Sequence, residues 1–228
     1  MELPLTSDAR APATAGESAY ERVRADIVFG RIPPGQKLRL EGMRELYGVG
    51  VGTLREILSR LSAEGLVLAE GQRGFEAPAV TAAELRELAD LRLLLERHAL
   101  AQSFAAGDVE WEGRVVAAHH KLEVVERRMV AGRREEAPAW KRYDGEFHQA
   151  LISACGSRAL MQAHANAFDR YLRYLMVAAC FRGEVAADEH RRLRDCALAR
   201  DVDGAAEVLR SHIDGCVAHV VSTTAWPG

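Results

Sequence analysis

Four cysteines in 228 residues, Cys155, Cys180, Cys196 and Cys216, include no C-x-x-C pair. That excludes a thiolate zinc ribbon and a disulfide framework, and predicts buried, reduced thiols in a cytoplasmic protein. No apolar run approaches the roughly 18 residues of a membrane span, and Met1–Gly16 has no apolar stretch before a cleavage-like site, so neither a membrane anchor nor a secretory signal is expected. Lysine is scarce: only Lys37, Lys121 and Lys141 stand against 27 arginines. A bias of that kind follows from a GC-rich coding sequence, so abundant arginine is not by itself a phosphate-binding signal. Excess positive charge is also missing. The net charge is −3 and the pI about 6.3, which on its face argues against nucleic acid.

What is present is ordinary globular composition, 48% apolar and 28% charged, long enough for a self-sufficient core. Residues 1–17 carry no period and read as a flexible arm. Ser18 is a good N-cap, and Tyr20, Val23 and Ile27 recur at helical spacing as far as Gly30. Ile32-Pro33-Pro34-Gly35 forces a turn. A short helix from Glu41 to Tyr47, a tight Gly48-Val49-Gly50 turn and an amphipathic helix from Gly52 to Glu64 follow. Leu66–Ala69 and Phe75–Val80 flank a glycine-containing turn and read as a strand pair. From Thr81, which forms a capping box with Glu84, strands disappear. Helices are expected at Thr81–Ala106, then from Asp108 through Met129, then Pro138–Ala154, Ser157–Arg182, Glu184–Arg200 and Asp203–Thr223. The fold class is therefore mostly α: a winged helix-turn-helix over residues 18–80, then an all-α bundle of six to seven helices over 81–228.

Helix, short helix, glycine turn, helix and hairpin is the order of a winged helix-turn-helix, whose second motif helix enters the major groove. Between Tyr20 and Glu76 stand nine Lys or Arg and eight Asp or Glu, so placement matters more than bulk charge. Lys37, Arg39, Arg44, Arg55 and Arg73 are candidates for one DNA-facing surface with the wing-tip Gly74. Gly52 and Thr53 leave backbone N–H groups free for a phosphate, and an Arg grips guanine in bidentate fashion. A solvated surface with ordinary salt bridges is the competing reading.

The residues also carry a resemblance. Gly30-Arg31-Ile32-Pro33-Pro34-Gly35-Gln36-Lys37-Leu38, Tyr47-Gly48-Val49-Gly50, Leu54-Arg55-Glu56-Ile57-Leu58-Ser59-Arg60-Leu61, Glu64-Gly65-Leu66-Val67 and Arg73-Gly74-Phe75 together resemble the DNA-binding domain of GntR-type bacterial transcription regulators. Where that family has a small polar residue, Arg and Thr-Pro, this chain has Gly50-Val51-Gly52-Thr53. The resemblance therefore implies DNA binding without one usual contact, and Arg55 is the retained base-reading candidate.

The bundle's signal is ionisable residues on apolar stripes. One stripe reads Trp140, Tyr143, Asp144, Phe147, His148, Leu151. A second reads Ala186, His190, Leu193, Ala197. A third reads Ala206, Leu209, His212, Cys216, Val220. Buried charge and imidazole need partners. Asp144, His148, His190 and His212, converging from three helices, satisfy one another around a divalent metal (Zn, Ni or Mn). Each histidine alone reads as a hydrogen-bonded core residue, and the pattern leaves both readings open. His164, on a stripe with Leu160, Ala167, Phe168 and Tyr171, is a rival ligand or a neighbour of the site. Arg92 shares an inward face with Leu85, Leu88, Leu95 and Ala99 and needs an anion, either an acid of the bundle or a bound carboxylate. His98, His119, His120 and His219 have no supporting constellation.

Asp90-Leu91-Arg92-Leu93-Leu94-Leu95-Glu96, Asp144-x-x-Phe147-His148-x-x-Leu151, Glu189-His190-x-x-Leu193 and Ala199-Arg200-Asp201 leading to Leu209 and His212 resemble the FCD ligand-binding domain of the FadR-type GntR regulators. That resemblance implies a metal on Asp144, His148, His190 and His212 and a small carboxylate effector near Arg92, Glu96 and His164. After the D-x-x-x-H helix many members have Asn, where this chain has Gly156-Ser157. The whole implies a ligand-responsive regulator, a repressor by expectation, binding an inverted-repeat double-stranded DNA operator as a homodimer in the cytoplasm. A metal-dependent enzyme is the alternative.

Overall fold

The computed structural model describes residues 14–71, 74–178 and 180–223. Helix α1 (Ala15–Val28), α2 (Leu40–Tyr47) and α3 (Val51–Ala63) are followed by strands β1 (Leu68–Ala69) and β2 (Phe75–Glu76). Among the described residues six further helices form the second domain: α4 (Ala82–Ala106), α5 (Val109–Val130), α6 (Ala137–Ile152), α7 (Arg158–Val177), α8 (Glu184–Ala199) and α9 (Val202–Thr223), with a 3-10 turn at Arg134–Glu136. The winged helix-turn-helix followed by an all-α bundle is the observed fold. Among the described residues no helix is long and apolar enough to cross a membrane.

Helix α1 starts earlier than expected. Thr14, not Ser18, is its N-cap, and the Thr14 hydroxyl accepts from the Glu17 amide at 3.2 Å. Thr14-x-x-Glu17 is the same spacing as Thr81-x-x-Glu84, which caps α4 in the same way. The earlier part of the expected arm, residues 1–13, lies outside the described residues. Gly48, in the left-handed region at φ 70°, ends α2 and allows the tight turn into α3.

The strand pair is shorter than expected. The Leu66 amide donates to the Leu61 carbonyl, closing the end of α3, so Leu66 and Val67 serve the core instead of a ladder. Leu68 and Ala69 pair with Glu76 and Phe75, and the 75–77 stretch also bonds back to Gln36 and Leu38. Helix α7 also stops short of Arg182: the Cys180 amide bonds the Leu175 carbonyl and terminates it. All four cysteines are free thiols, three of them buried and Cys196 half-buried.

Each domain has its own core. The larger runs through the bundle around Trp111, Phe147, Leu122 and Leu193. The smaller joins Val23, Ile27, Leu54, Leu58 and Leu61 of the winged domain, and it includes Phe168 and Leu172 from α7 of the bundle.

Candidate metal centre

Helix α6 places Asp144 and His148 one turn apart on its buried face, as i and i+4 residues must be. Helix α8 adds His190 and α9 adds His212. All four are buried, and each offers one ligand atom within 4.8 Å of every other. His190 Nε2 stands 3.2 Å from Asp144 Oδ1 and His148 Nε2 stands 4.0 Å from it. Those separations bracket the roughly 3.4 Å edge of a tetrahedron with metal–ligand bonds of about 2.1 Å, so small side-chain adjustments close the site.

Three of these atoms, Asp144 Oδ1, His148 Nε2 and His190 Nε2, are buried and make no hydrogen bond. Such atoms are costly unless something else engages them. The other nitrogen of each ring is engaged. His148 Nδ1 bonds Glu96, His190 Nδ1 bonds Glu126 at 2.6 Å, and His212 Nδ1 bonds Glu189 at 2.8 Å. A carboxylate on Nδ1 holds a proton there and points Nε2 inward, the arrangement in which histidine ligates metals once Nε2 carries no proton. The four donors therefore fit a divalent ion on chemistry and placement alike. Phe147, fully buried, has its ring edge-on to His148 and His190 at 5.8 Å each, which holds both imidazoles in place.

Charge follows the same geometry. Burial pushes the Asp144 carboxyl up, but Lys141 and the two histidines hold it well below the usual range. Lys141 Nζ lies 3.5 Å from Asp144 Oδ2, so one oxygen is occupied and the other is left for a ligand. Burial lowers His148 to about 4, keeping its ring neutral. His190 goes the other way: burial lowers it, but Asp144 and Glu126 raise it to about 9.

Arg92 is fully buried, and its Nε donates to Glu96 Oε2 at 2.9 Å. Both readings of its partner have support. An acid of the bundle pairs with it, yet Nη2 remains buried and unbonded. Glu96 is fully buried beside Arg92. Its two oxygens are shared among Arg92, His148 and His164, the last at 3.2 Å. His164 Nδ1 lies 3.0 Å from Gln149 Nε2, so His164 adjoins the centre through Glu96 and is not one of the four clustered donors. Helical period assigns no role to Glu126 or Lys141, and Glu189 stands in the sequence only as the residue before His190. Glu126 follows Leu122 by four residues on the buried face of α5, the same misfit pattern that marked the histidines. His119 is buried edge-on to Phe147 at 5.4 Å, a packing position.

In the winged domain Lys37, Arg39, Arg44 and Arg55 are exposed. Arg44 has Glu41 at 3.7 Å, whereas Lys37, Arg39 and Arg55 have no ion pair among the described residues. Arg39 is the N-cap residue of α2. The first turn of α3 carries no acidic side chain, and Gly52 is exposed there. Thr53 is half-buried, and a Cβ on Gly16 of α1 would meet its methyl at 3.5 Å, so its side chain packs against α1. Gly74 sits at the base of the wing turn at φ 99°. Arg73 lies outside the described residues.

Residues 15–76 match the bacterial regulatory proteins of the gntR family, and residues 87–215 match the FCD domain. The chain belongs to the GntR family, in its FCD-bearing branch. It is 38% identical over 206 residues to the HTH-type transcriptional regulator BphR of Paraburkholderia xenovorans (strain LB400), covering 90% of this chain and 84% of that one. It is 32% identical over 200 residues to the HTH-type transcriptional repressor GlaR of Escherichia coli (strain K12), covering 85% and 90%. The fold matches a GntR transcriptional regulator from Rhodococcus sp. RHA1 with a TM-score of 0.76 at 22% identity, over 93% of this chain and 100% of that one. Escherichia coli McbR/YncC gives the same TM-score at 20% identity, over 92% and 99%. The GntR chain described here is thus a transcription regulator of the GntR/FCD type.

Proposed function

We propose that this GntR regulator is a metabolite-responsive repressor. Its homodimer binds a short inverted-repeat operator, and a small carboxylate bound beside a divalent metal alters that binding. Asp144, His148, His190 and His212 hold the metal; three nitrogens and one oxygen suit Zn, Ni or Mn. When bound, the metal supplies a cationic anchor for the acid. Arg92 supplies the second anchor through Nη2, and Glu96 and His164 fix its position. Arg55, Lys37, Arg39, Arg44, the Gly52-Thr53 amides and the Arg73-Gly74 wing contact DNA.

The observation that carries this reading is the set of buried, unbonded donor atoms aimed at one point, with an unbonded Arg92 Nη2 one residue away through Glu96. The repressor role is supported by the likeness to a chain described as a transcriptional repressor. Catalysis is less well supported, because Glu96, Glu126 and Glu189 are each committed to a histidine and so do not serve as a free general base.

A gel-shift assay on DNA upstream of the chain's own gene tests the reading, with Zn2+ and with lactate, succinate or citrate. Retardation that an acid relieves is expected. No retardation of any segment at low salt contradicts it.

A further inference from the structure

We propose that Phe168 is the residue through which the metal centre and the DNA-binding domain sense each other. This rests on the sensing role proposed above and names the side chain that transmits it.

Phe168 of α7 is buried at 4% exposure and is shared between two sites. On one side the Arg92 guanidinium carbon lies 4.6 Å from its ring centroid. The rings of His164 and His148 stand 5.7 and 5.9 Å away. Arg92 and both histidines meet on Glu96, so the ring leans on the polar cluster that orients a metal ligand. On the other side Phe168 and Leu172 belong to the winged domain's own core.

The next residues of α7 grip the same domain and its connection. Asp169 pairs with Arg24 of α1 and Arg173 donates to the Pro78 carbonyl, while Arg170 stays within the bundle on Glu84 of α4 at 2.8 Å. The Asp169 and Arg173 contacts fasten the two domains but do not reach the centre. Phe168 does both.

There is also room for the ring to move. A cleft of about 400 Å³ between α1 and α6/α7 is lined by Val28, Phe29, Gly145, Gln149, Phe168 and Leu172, among others. A Cβ on Gly145 would lie 3.2 Å from Phe168 Cε1, so the absent side chain keeps the space beside the ring open.

A cation on a ring face is held electrostatically. An acid that takes Arg92 Nη2 neutralises and reorients that cation, and the ring loses its partner on the bundle side. Packed side chains shift between discrete arrangements rather than deforming smoothly. Moving into the cleft, the ring displaces the α1 residues that line it, and the signal reaches the winged domain.

Two variants of the full-length protein test this. Phe168→Leu keeps an apolar side chain but removes one of the two rings against Arg92, the other being Tyr171 at 4.9 Å. Gly145→Ala fills the space beside the ring; alanine is the better helix former, so α6 is not weakened. Affinity for a DNA site selected in vitro is measured by fluorescence anisotropy, without ligand, with Zn2+, and with Zn2+ plus lactate, succinate or citrate. Calorimetry reports the binding of Zn2+ and of each acid directly. The native chain is expected to change its DNA affinity by about fivefold or more, the usual lower range of allosteric coupling. In both variants the change is expected to fall below about twofold while Zn2+ affinity stays within about threefold. Native-size coupling in both variants overturns the assignment of Phe168 alone. So does a loss of coupling that merely follows a tenfold loss of acid or metal binding. A native chain that binds metal, acid and DNA with no coupling among them contradicts the sensing role itself, and this inference with it.

Discussion

His190 Nε2 lies 3.2 Å from Asp144 Oδ1 in the bundle interior, within ion-pair distance. On the far side of the ring His190 Nδ1 bonds Glu126. One imidazole thus stands between two carboxylates, and the attraction outweighs its burial and raises it to about 9.

Metal binding is therefore expected to release a proton. At neutral pH His190 is protonated when no metal is present, and a ligand must be neutral. His148, lowered to about 4, is neutral already and adds nothing. Zn2+ affinity should rise about tenfold per pH unit up to pH 9 and flatten above it, since each unit below a group's pKa costs one factor of ten. Calorimetry in buffers of different ionisation enthalpy counts the protons. About one per metal at pH 7.5 is expected.

Glu126→Gln removes the carboxylate that orients His190 and keeps the shape. Loss of such a partner costs about 10–100-fold in metal affinity. The same change should lower the His190 pKa and shrink the proton release. His148→Ala, which removes a ligand outright, should lose more affinity than Glu126→Gln. Titration with a chromophoric chelator ranks the variants.

Much of this centre was legible from sequence because helical period alone put Asp144, His148, His190 and His212 on buried stripes, and the structure brings their donor atoms together. The capping box at Thr81, the Pro33-Pro34-Gly35 turn and the order of helices were readable for the same local reason. Glu126, Glu189 and Lys141 were harder. Their importance depends on which helix packs beside which, and no spacing within one helix records that. The start of α1 is ambiguous in sequence: Thr14-x-x-Glu17 carries a capping signal, and Ser18 offers a competing cap four residues on. The wing is shorter than its pattern suggests because Leu66 and Val67 look like strand residues but serve to end α3 and fill its core. Phe168 was visible as one more apolar residue on the His164 stripe. Only the folded chain shows that it belongs to the core of the other domain.

Arg92→Ala is expected to act twice. It removes an anchor for the acid, and it strips Glu96 of its cation inside the bundle. Breaking a buried ion pair on one side costs about 3–5 kcal/mol. Arg92→Lys retains the charge without the planar fork, so it should recover most of that stability but little acid affinity. Thermal unfolding and acid calorimetry on both variants separate the two effects.

Arg55→Ala should cost about 1–3 kcal/mol of binding to the preferred DNA site, the worth of one bidentate base contact, while Zn2+ binding in the bundle is unchanged. Arg55 is exposed and free of ion pairs among the described residues, so its removal should leave the fold intact. Anisotropy on preferred and scrambled duplexes reads the loss of specificity. Unchanged preference would move the base-reading role to Arg39, Arg44 or the wing.

The central claim is that acid sensing runs through the metal. The most direct measurement is DNA affinity of the full-length chain as a function of acid concentration, in metal-stripped and Zn2+-loaded protein side by side. Acids that alter DNA affinity only in the Zn2+-loaded protein, with the effect abolished by His148→Ala, are the result predicted. An identical acid response in the stripped protein would contradict the claim, as would metal and acid binding that leave DNA affinity untouched.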